Sequence, residues 1–352
     1  FLRALARFTD PHIVSLSNGQ SLSAKFFVIS TGSVVARPPL PQLSGVGYLT
    51  SDDALALRRL PKSITVLGGG AVAVEFAQLF ARFDVEVTMI QRSEHLLKQL
   101  DPDAAGVLET VFRREGIQLF RNTRLVDAYR TGGLKTVTFL HEGKKTEVSS
   151  EEILFALGRI PNTAGLNLVQ AGVVTEAGRV IANGRMQTSA PHIYAAGDCT
   201  GPHEIVHLAV EQGEIAAHNI AQPNSPRTLD YRLLVTVVFT EPQLATVGLT
   251  EKEAQARNIP YLAASHPFND HGKSLIMEAR DGFVKLLADP KSGELLGGCC
   301  AGPLGGELIH EIIAAMGRHM TARQLASLPH YHPTLAEIWT YPAEELAERC
   351  RV

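Results

Sequence analysis

The stretch SITVLGGGAVAVEFAQLFARFDVEVTMIQR, residues 63–92, constrains the chain more than any other. A short apolar run meets three glycines. Small and apolar residues then recur at helical spacing until a second apolar run, VEVTMI. That pattern predicts strand, turn, helix, strand. Gly68, Gly70 and Ala73 fall on the positions of GxGxxG/A. Gly68 permits the tight turn, Gly70 lets a pyrophosphate approach the backbone, and Ala73 lets the helix pack closely on the strand. The helix start offers free N–H groups and positive potential to phosphates. The same residues would also serve a close-packed turn with no ligand, but the strand before and the helix after favour dinucleotide binding. An acid after the second strand would bind a ribose 2′-hydroxyl. Here Gln91 and Arg92 follow Ile90. A guanidinium suits a 2′-phosphate, so NADPH is expected ahead of NADH, unless Arg92 is only a solvated surface residue.

Alternating strand and helix signals from 63 to 160 predict a parallel α/β sheet. They include a helix from Asp101-Pro102 to about Glu115, a hairpin over 135–148 turning at Glu142-Gly143, and a buried strand in 151–158. Upstream, 12–16 and 26–30 read as strands with the turn signal Asn18-Gly19 between them, and Pro-rich 36–47 reads as a boundary. Downstream come a strand–loop signal in 179–201 and a helix over 204–222; from about 230 an α+β domain on an antiparallel sheet is expected. A chain of 352 residues suggests two or three domains. A net charge of −3 argues against nucleic acid or an anionic membrane surface as partner. No apolar run approaches the ~18 residues of a membrane span. The four cysteines are too few for a disulfide scaffold, and none is spaced CxxC.

Six motifs follow one another: ISTGS (29–33), the glycine turn with Glu75, GRIPN (158–162), AAGDCTG (195–201), VFTEPQLATVGLTEKEA (238–254) and HYHPTLAE (330–337). Together they resemble the flavoprotein disulfide reductases, with HYHPTLAE most similar to dihydrolipoyl dehydrogenase. The resemblance implies a Rossmann-like NAD(P)-binding domain (58–160) inserted in a partial FAD-binding domain (1–57 and 161–228), followed by an α+β dimerisation domain (229–352). It implies a homodimer using FAD and NADPH (or NADH) on a small disulfide or lipoyl-type substrate, in a cytoplasmic setting. By the same likeness His332 is the general base and Glu337 orients it. Asp198, after Gly197, contacts the ribityl chain, and the helix start at Leu208-Ala209 faces the flavin. Thr31, Gly32, Gly158 and Arg159 belong to the cofactor-binding motifs, and Glu75 lies beside the nicotinamide. Base chemistry suits an imidazole, since a thiol must lose its proton before it attacks a disulfide. On their own, a His–Glu pair reads as a structural cap, and Glu75 as an exposed first-turn glutamate.

The family opens with an FAD-binding strand and glycine turn followed by CxxxxC. This sequence, which starts with Phe1, contains neither. The expectation is an N-terminally truncated chain without the redox disulfide, inactive alone. Cys299 and Cys300, adjacent in a strand, should face opposite sides as buried filler. Three further readings stand beside this one: a mercuric-reductase-like enzyme, a non-catalytic NADP(H)-binding dimer, and a metal site at His330, His332 and Glu337. Apolar residues in 232–239 and 305–320 are expected to form the dimer face.

Overall fold

The computed structural model describes residues 1–201 and 203–350. The chain divides into two compact units, one from 1–36 with 158–231, the other from 37–157 with 232–352. Among the described residues no helix is long and apolar enough to cross a membrane.

In the first unit, Ala6–Asp10, Ile13–Leu16 and Ser21–Ser23 form an antiparallel sheet. Phe27–Ile29 pairs in parallel with Ile193–Ala195, and Ser33–Val35 pairs antiparallel with Arg159–Pro161. The Asn18-Gly19 turn thus closes onto Ser21–Ser23 and not onto the strand at 27–29, which differs from the sequence expectation. Ser21–Ser23 is exposed throughout, so it carries no apolar pattern to betray it. Ile29 instead joins a buried core with Phe8, Val14, Ile193 and Cys199. Burying it there selects the distant partner strand. Helix Val206–Ala221 completes the unit.

The second unit opens with the predicted strand–turn–helix–strand. Ser63–Leu67 and Glu86–Ile90 are parallel neighbours in a sheet whose order is Glu152–Phe155, Ser63–Leu67, Glu86–Ile90, Gln118–Phe120. Helix Ala71–Arg82 buries Ala73, Val74, Ala77 and Phe80. The hairpin pairs Leu134–His141 with Lys144–Ser150, and Glu142 and Gly143 have φ of 51° and 75°. Two left-handed residues match the twist of the strands they join. Helix Pro102–Arg114 starts at the expected Asp-Pro, with proline in its first turn. Asp101 does not cap it. Its carboxylate accepts the backbone N–H groups of Glu251 and Lys252, at 3.2 and 3.0 Å, and so caps helix Glu251–Ala256.

A five-stranded antiparallel sheet follows, in the order Val235–Val238, Gln243–Gly248, Leu295–Gly302, Phe283–Ala288, Leu262–Pro267. Helices Gly305–Gly317 and Thr340–Arg349 pack on it, burying Leu308, Ile309, Ile312, Ala343 and Leu346. On the other side, Val238, Leu244, Cys299 and Ala301 join the core that includes the parallel sheet. Cys299 and Cys300 do face opposite sides, each in a different core. Burial pushes the Cys299 thiol up to about 12 and holds Cys300 well above the ordinary value, so both are inert at neutral pH. The 305–317 helix spends its apolar face inside its own chain. An amphipathic helix cannot be assigned to solvent or core from its period alone; within the two stretches expected to form the dimer face, Phe239 is the large apolar side chain left exposed.

Candidate active site

The glycine turn is built as its chemistry requires. Gly68 has φ 122°, and a Cβ there would lie 2.3 Å from the Ala156 carbonyl oxygen, so only glycine fits. Gly70, the N-cap of helix Ala71–Arg82, has nothing within 4 Å of a Cβ, and no side chain caps that helix. Open space and uncapped N–H groups fit a pyrophosphate. Gln91 is buried and folds over the turn: a Cβ on Gly69 would meet its amide at 2.7 Å. Its Oε1 accepts the Arg92 N–H at 2.8 Å. A neutral amide therefore stands where an acid would bind a ribose. Arg92 itself is exposed, and its guanidinium makes no ion pair among the described residues.

Glu75 lies in the second turn of its helix, half-buried, and not exposed in the first. Its Oε1 accepts the Phe239 N–H at 2.8 Å. Burial pushes its carboxyl up, partly countered by that N–H. Three residues on, Gln78 donates to the Glu241 carbonyl and accepts from its N–H, both at 2.7 Å. One helix face thus clamps the backbone at 239–241. Gln78 carried no motif and was not legible in the sequence.

The first unit gathers the other motif residues. Arg159 donates from Nε to Ser33 Oγ at 2.7 Å and from Nη2 to the Ser33 carbonyl at 2.8 Å. Ser33 Oγ donates to Asp198 Oδ2 at 2.7 Å. Ser33 thus links two segments 165 residues apart. Gly32 and Gly158 have φ of 66° and 113°, and the Gly158 carbonyl accepts from the Ala36 N–H at 3.0 Å. Gly197, φ 76°, donates to Gln212 Oε1 at 2.7 Å, and a Cβ on it would lie 3.3 Å from the Ala209 Cβ. Leu208 is buried beside it in the first turn of helix Val206–Ala221, which has no side-chain cap and no acid in that turn. Among the described residues, Thr31 Oγ1 is buried without a hydrogen-bond partner. An orphaned hydroxyl, a second uncapped helix start and the Asp198 carboxylate fit a bound flavin's polar chain. Cys199 is buried, and desolvation raises its thiol; it is packing.

At 330–337 two histidines part company. His330 Nε2 lies 2.7 Å from Glu311 Oε1, and its Nδ1 lies 3.0 Å from the Leu328 carbonyl. His332 Nδ1 lies 3.0 Å from Glu337 Oε2. Its side chain is 79% exposed, against 12% for Glu337. Thr334 N–H donates to Glu337 Oε1 at 3.3 Å, and the turn is anchored by fully buried Trp339, whose Nε1 donates to the Leu308 carbonyl at 3.1 Å. The carboxylate faces Nδ1, which leaves His332 Nε2 free. Among the described residues no group of three or more His, Cys, Asp or Glu is arranged to hold a metal ion, which removes support from a site at His330, His332 and Glu337.

Comparison with known proteins agrees with this layout. Residues 2–213 match the family model described as pyridine nucleotide-disulphide oxidoreductase, and residues 234–343 match that family's dimerisation domain. A dihydrolipoyl dehydrogenase of Thermus scotoductus is 36% identical over 98% of this chain and 75% of its own length. A mercuric reductase of Staphylococcus aureus is 33% identical over 96% of this chain and 61% of its own. The HOCl-induced flavoprotein disulfide reductase RclA of Escherichia coli superposes with a TM-score of 0.86 at 26% identity, covering 97% of this chain and 78% of that one. With its glycine turn, its polar chain from Arg159 to Asp198, its His–Glu pair and a family match over more than half its length, the chain belongs to the pyridine nucleotide-disulphide oxidoreductases.

Proposed function

We propose that this chain carries the nicotinamide-binding, flavin-ribityl and general-base parts of an NAD(P)H:disulfide oxidoreductase of the dihydrolipoyl dehydrogenase type, working as a homodimer through 229–352. The observation that carries this reading is the pairing of exposed His332 with sheltered Glu337 at 3.0 Å. Glu337 accepts a hydrogen bond from Nδ1–H and so fixes the tautomer that leaves a lone pair on Nε2. That nitrogen takes the proton from a dithiol, and the carboxylate stabilises the imidazolium formed. The thiolate produced is the nucleophile of disulfide exchange. When bound, a flavin would pass electrons between nicotinamide and dithiol. Asp198, held by Ser33, would bind its ribityl hydroxyls, and the uncapped start of helix Val206–Ala221 would offer positive potential to its ring. The glycine turn at 68–73 would hold the nicotinamide cofactor, with Arg92 favouring NADPH and Glu75 beside the nicotinamide. Residues 58–160 form this domain, and 1–57 with 161–228 the flavin-binding part. All four cysteines are buried and none has CxxxxC spacing, so the redox dithiol must come from other cysteines. The 352-residue chain by itself should then reduce no disulfide.

Calorimetric titration with NADPH and NADH tests the nucleotide arm. Tighter NADH binding, or unchanged NADPH affinity in Arg92→Ala, removes Arg92 from the reading. The base is tested in a flavin-loaded form that includes a redox dithiol. There His332→Ala should slow dihydrolipoamide oxidation by ~10²–10⁴, and Glu337→Gln by less. Normal oxidation by His332→Ala, or lipoamide turnover by the 352-residue chain alone, would overturn it.

A further inference from the structure

Glu337 has a second imidazole behind it. His271 sits at the start of the short helix Gly272–Ile276, in the connection from edge strand Leu262–Pro267 to its neighbour Phe283–Ala288. Its side chain is 0% exposed, and its Nε2 lies 3.4 Å from Glu337 Oε1. That contact is longer than a well-formed hydrogen bond, which leaves His271 Nε2 as one of three buried side-chain polar atoms without a close partner among the described residues. On the other side of the ring, Nδ1 lies 2.7 Å from Ser274 Oγ. The carboxylate thus stands between two histidines, His332 in solvent and His271 fully enclosed.

We infer that His271 is a positioning residue for the His332–Glu337 pair: a neutral imidazole whose Nε2–H holds Glu337 Oε1 and so keeps Oε2 on His332. The inference rests on the reading of His332 as the base.

The tautomer follows from the neighbours. If Nδ1 carried the proton, a bare Nε2 lone pair would face a carboxylate oxygen at 3.4 Å, which is repulsive. With the Ser274 hydroxyl donating to Nδ1, the proton sits on Nε2 and faces Oε1. The charge state follows from the surroundings. Burial disfavours the imidazolium, Glu337 favours it, and His266 and His332 disfavour it; the net result is a pKa below the ordinary histidine value. Tyr341 also meets His271 edge-on at 6.2 Å and stacks on His266 at 4.0 Å. A neutral His271 donates without adding positive charge, so it does not compete with proton uptake by His332. Its N–H and the Thr334 N–H both address Oε1. A carboxylate turned away from Nδ1 would give up both N–H groups.

The test is ¹⁵N–¹H imidazole spectroscopy of the 352-residue chain across a pH titration. In the wild type, His332 should show a single neutral tautomer, Nδ1–H with bare Nε2. His271 should show Nε2–H and stay neutral to a lower pH than a free imidazole does. In His271→Phe, His332 should lose its single tautomer and relax to the mixture of a free imidazole. Ser274→Ala, which keeps the ring and is the safer variant for folding, should cause a partial loss of the same kind. Glu337→Gln is the arm that separates the two readings. If Glu337→Gln abolishes the His332 tautomer while folded His271→Phe and Ser274→Ala leave it intact, the role of His271 is refuted and the base pair stands. If Glu337→Gln also changes nothing, the pair itself falls, and His271 with it. A His271 that titrates like a surface histidine overturns the inference directly.

Discussion

Two basic side chains in the second unit pair with carboxylates, and they do so in opposite ways. Lys285 is 4% exposed at its side chain, and its Nζ meets Asp101, Asp103 and Glu251 at 2.9, 2.8 and 2.8 Å. Burial alone would lower its pKa, but those hydrogen bonds hold it above the ordinary lysine value. All three ammonium protons are used, so nothing is left for a ligand. His332 has one partner, at one nitrogen, and offers the other to solvent. The first arrangement is closed and can only join parts of the fold. The second is open on the one atom that chemistry needs. A side chain's spare hydrogen-bonding capacity separates the two roles better than its charge does.

Substitutions at these sites should rank by closure. Lys285→Met leaves three carboxylates facing one another, and urea unfolding should report a loss of roughly 3–5 kcal/mol. A loss under about 1 kcal/mol would mean the cluster is already wet and the contrast is false. His330, enclosed and tied to Glu311, is the intermediate case. His330→Ala should cost about 1–2 kcal/mol in the same measurement. His332→Ala should fall within about 0.5 kcal/mol, as exposed pairs do, while removing the base. A cost near that of Lys285→Met would make His332 a structural residue. Glu75→Gln sharpens the comparison at its faint end, through pH. The folded pKa of Glu75 is raised, so the fold favours its neutral form: that stabilisation is present below the unfolded pKa and lost as pH rises through the folded one. Glutamine mimics the neutral form and can still accept the Phe239 N–H. The variant should therefore match the wild type near pH ~4 and exceed it by no more than about 0.5 kcal/mol near pH ~7, since the group is half exposed. Thermal melts at the two pH values check this, and a variant less stable at pH ~7 contradicts it.

Much of the frame was legible because its signals are local. The 63–92 strand–turn–helix–strand, the 142–143 turn and the Asp-Pro helix start each lie within one window of sequence. The contact of Glu337 with His332 was legible too, since a five-residue spacing across a proline turn is short-range. Ser33, Gln78, His271 and Lys285 were not. Each acts on a residue far along the chain, Lys285 on Asp101 across 184 positions and Gln78 on Glu241 across 163. Sequence distance hides such pairs; Ser33 lies in the ISTGS motif, but that motif does not name its partners, and the other three sit in no recognisable pattern. Asp101 was legible as a helix start but not as the cap of a different helix.

That last detail governs how this unit comes apart. Asp101 precedes the helix of the parallel sheet, yet its oxygens hold the first two N–H groups of helix Glu251–Ala256 and the Lys285 ammonium of the antiparallel sheet. Neither layer can open without tearing the same carboxylate from three donors. The two should therefore behave as one cooperative foldon, and their most protected amides should exchange with solvent through a single shared opening.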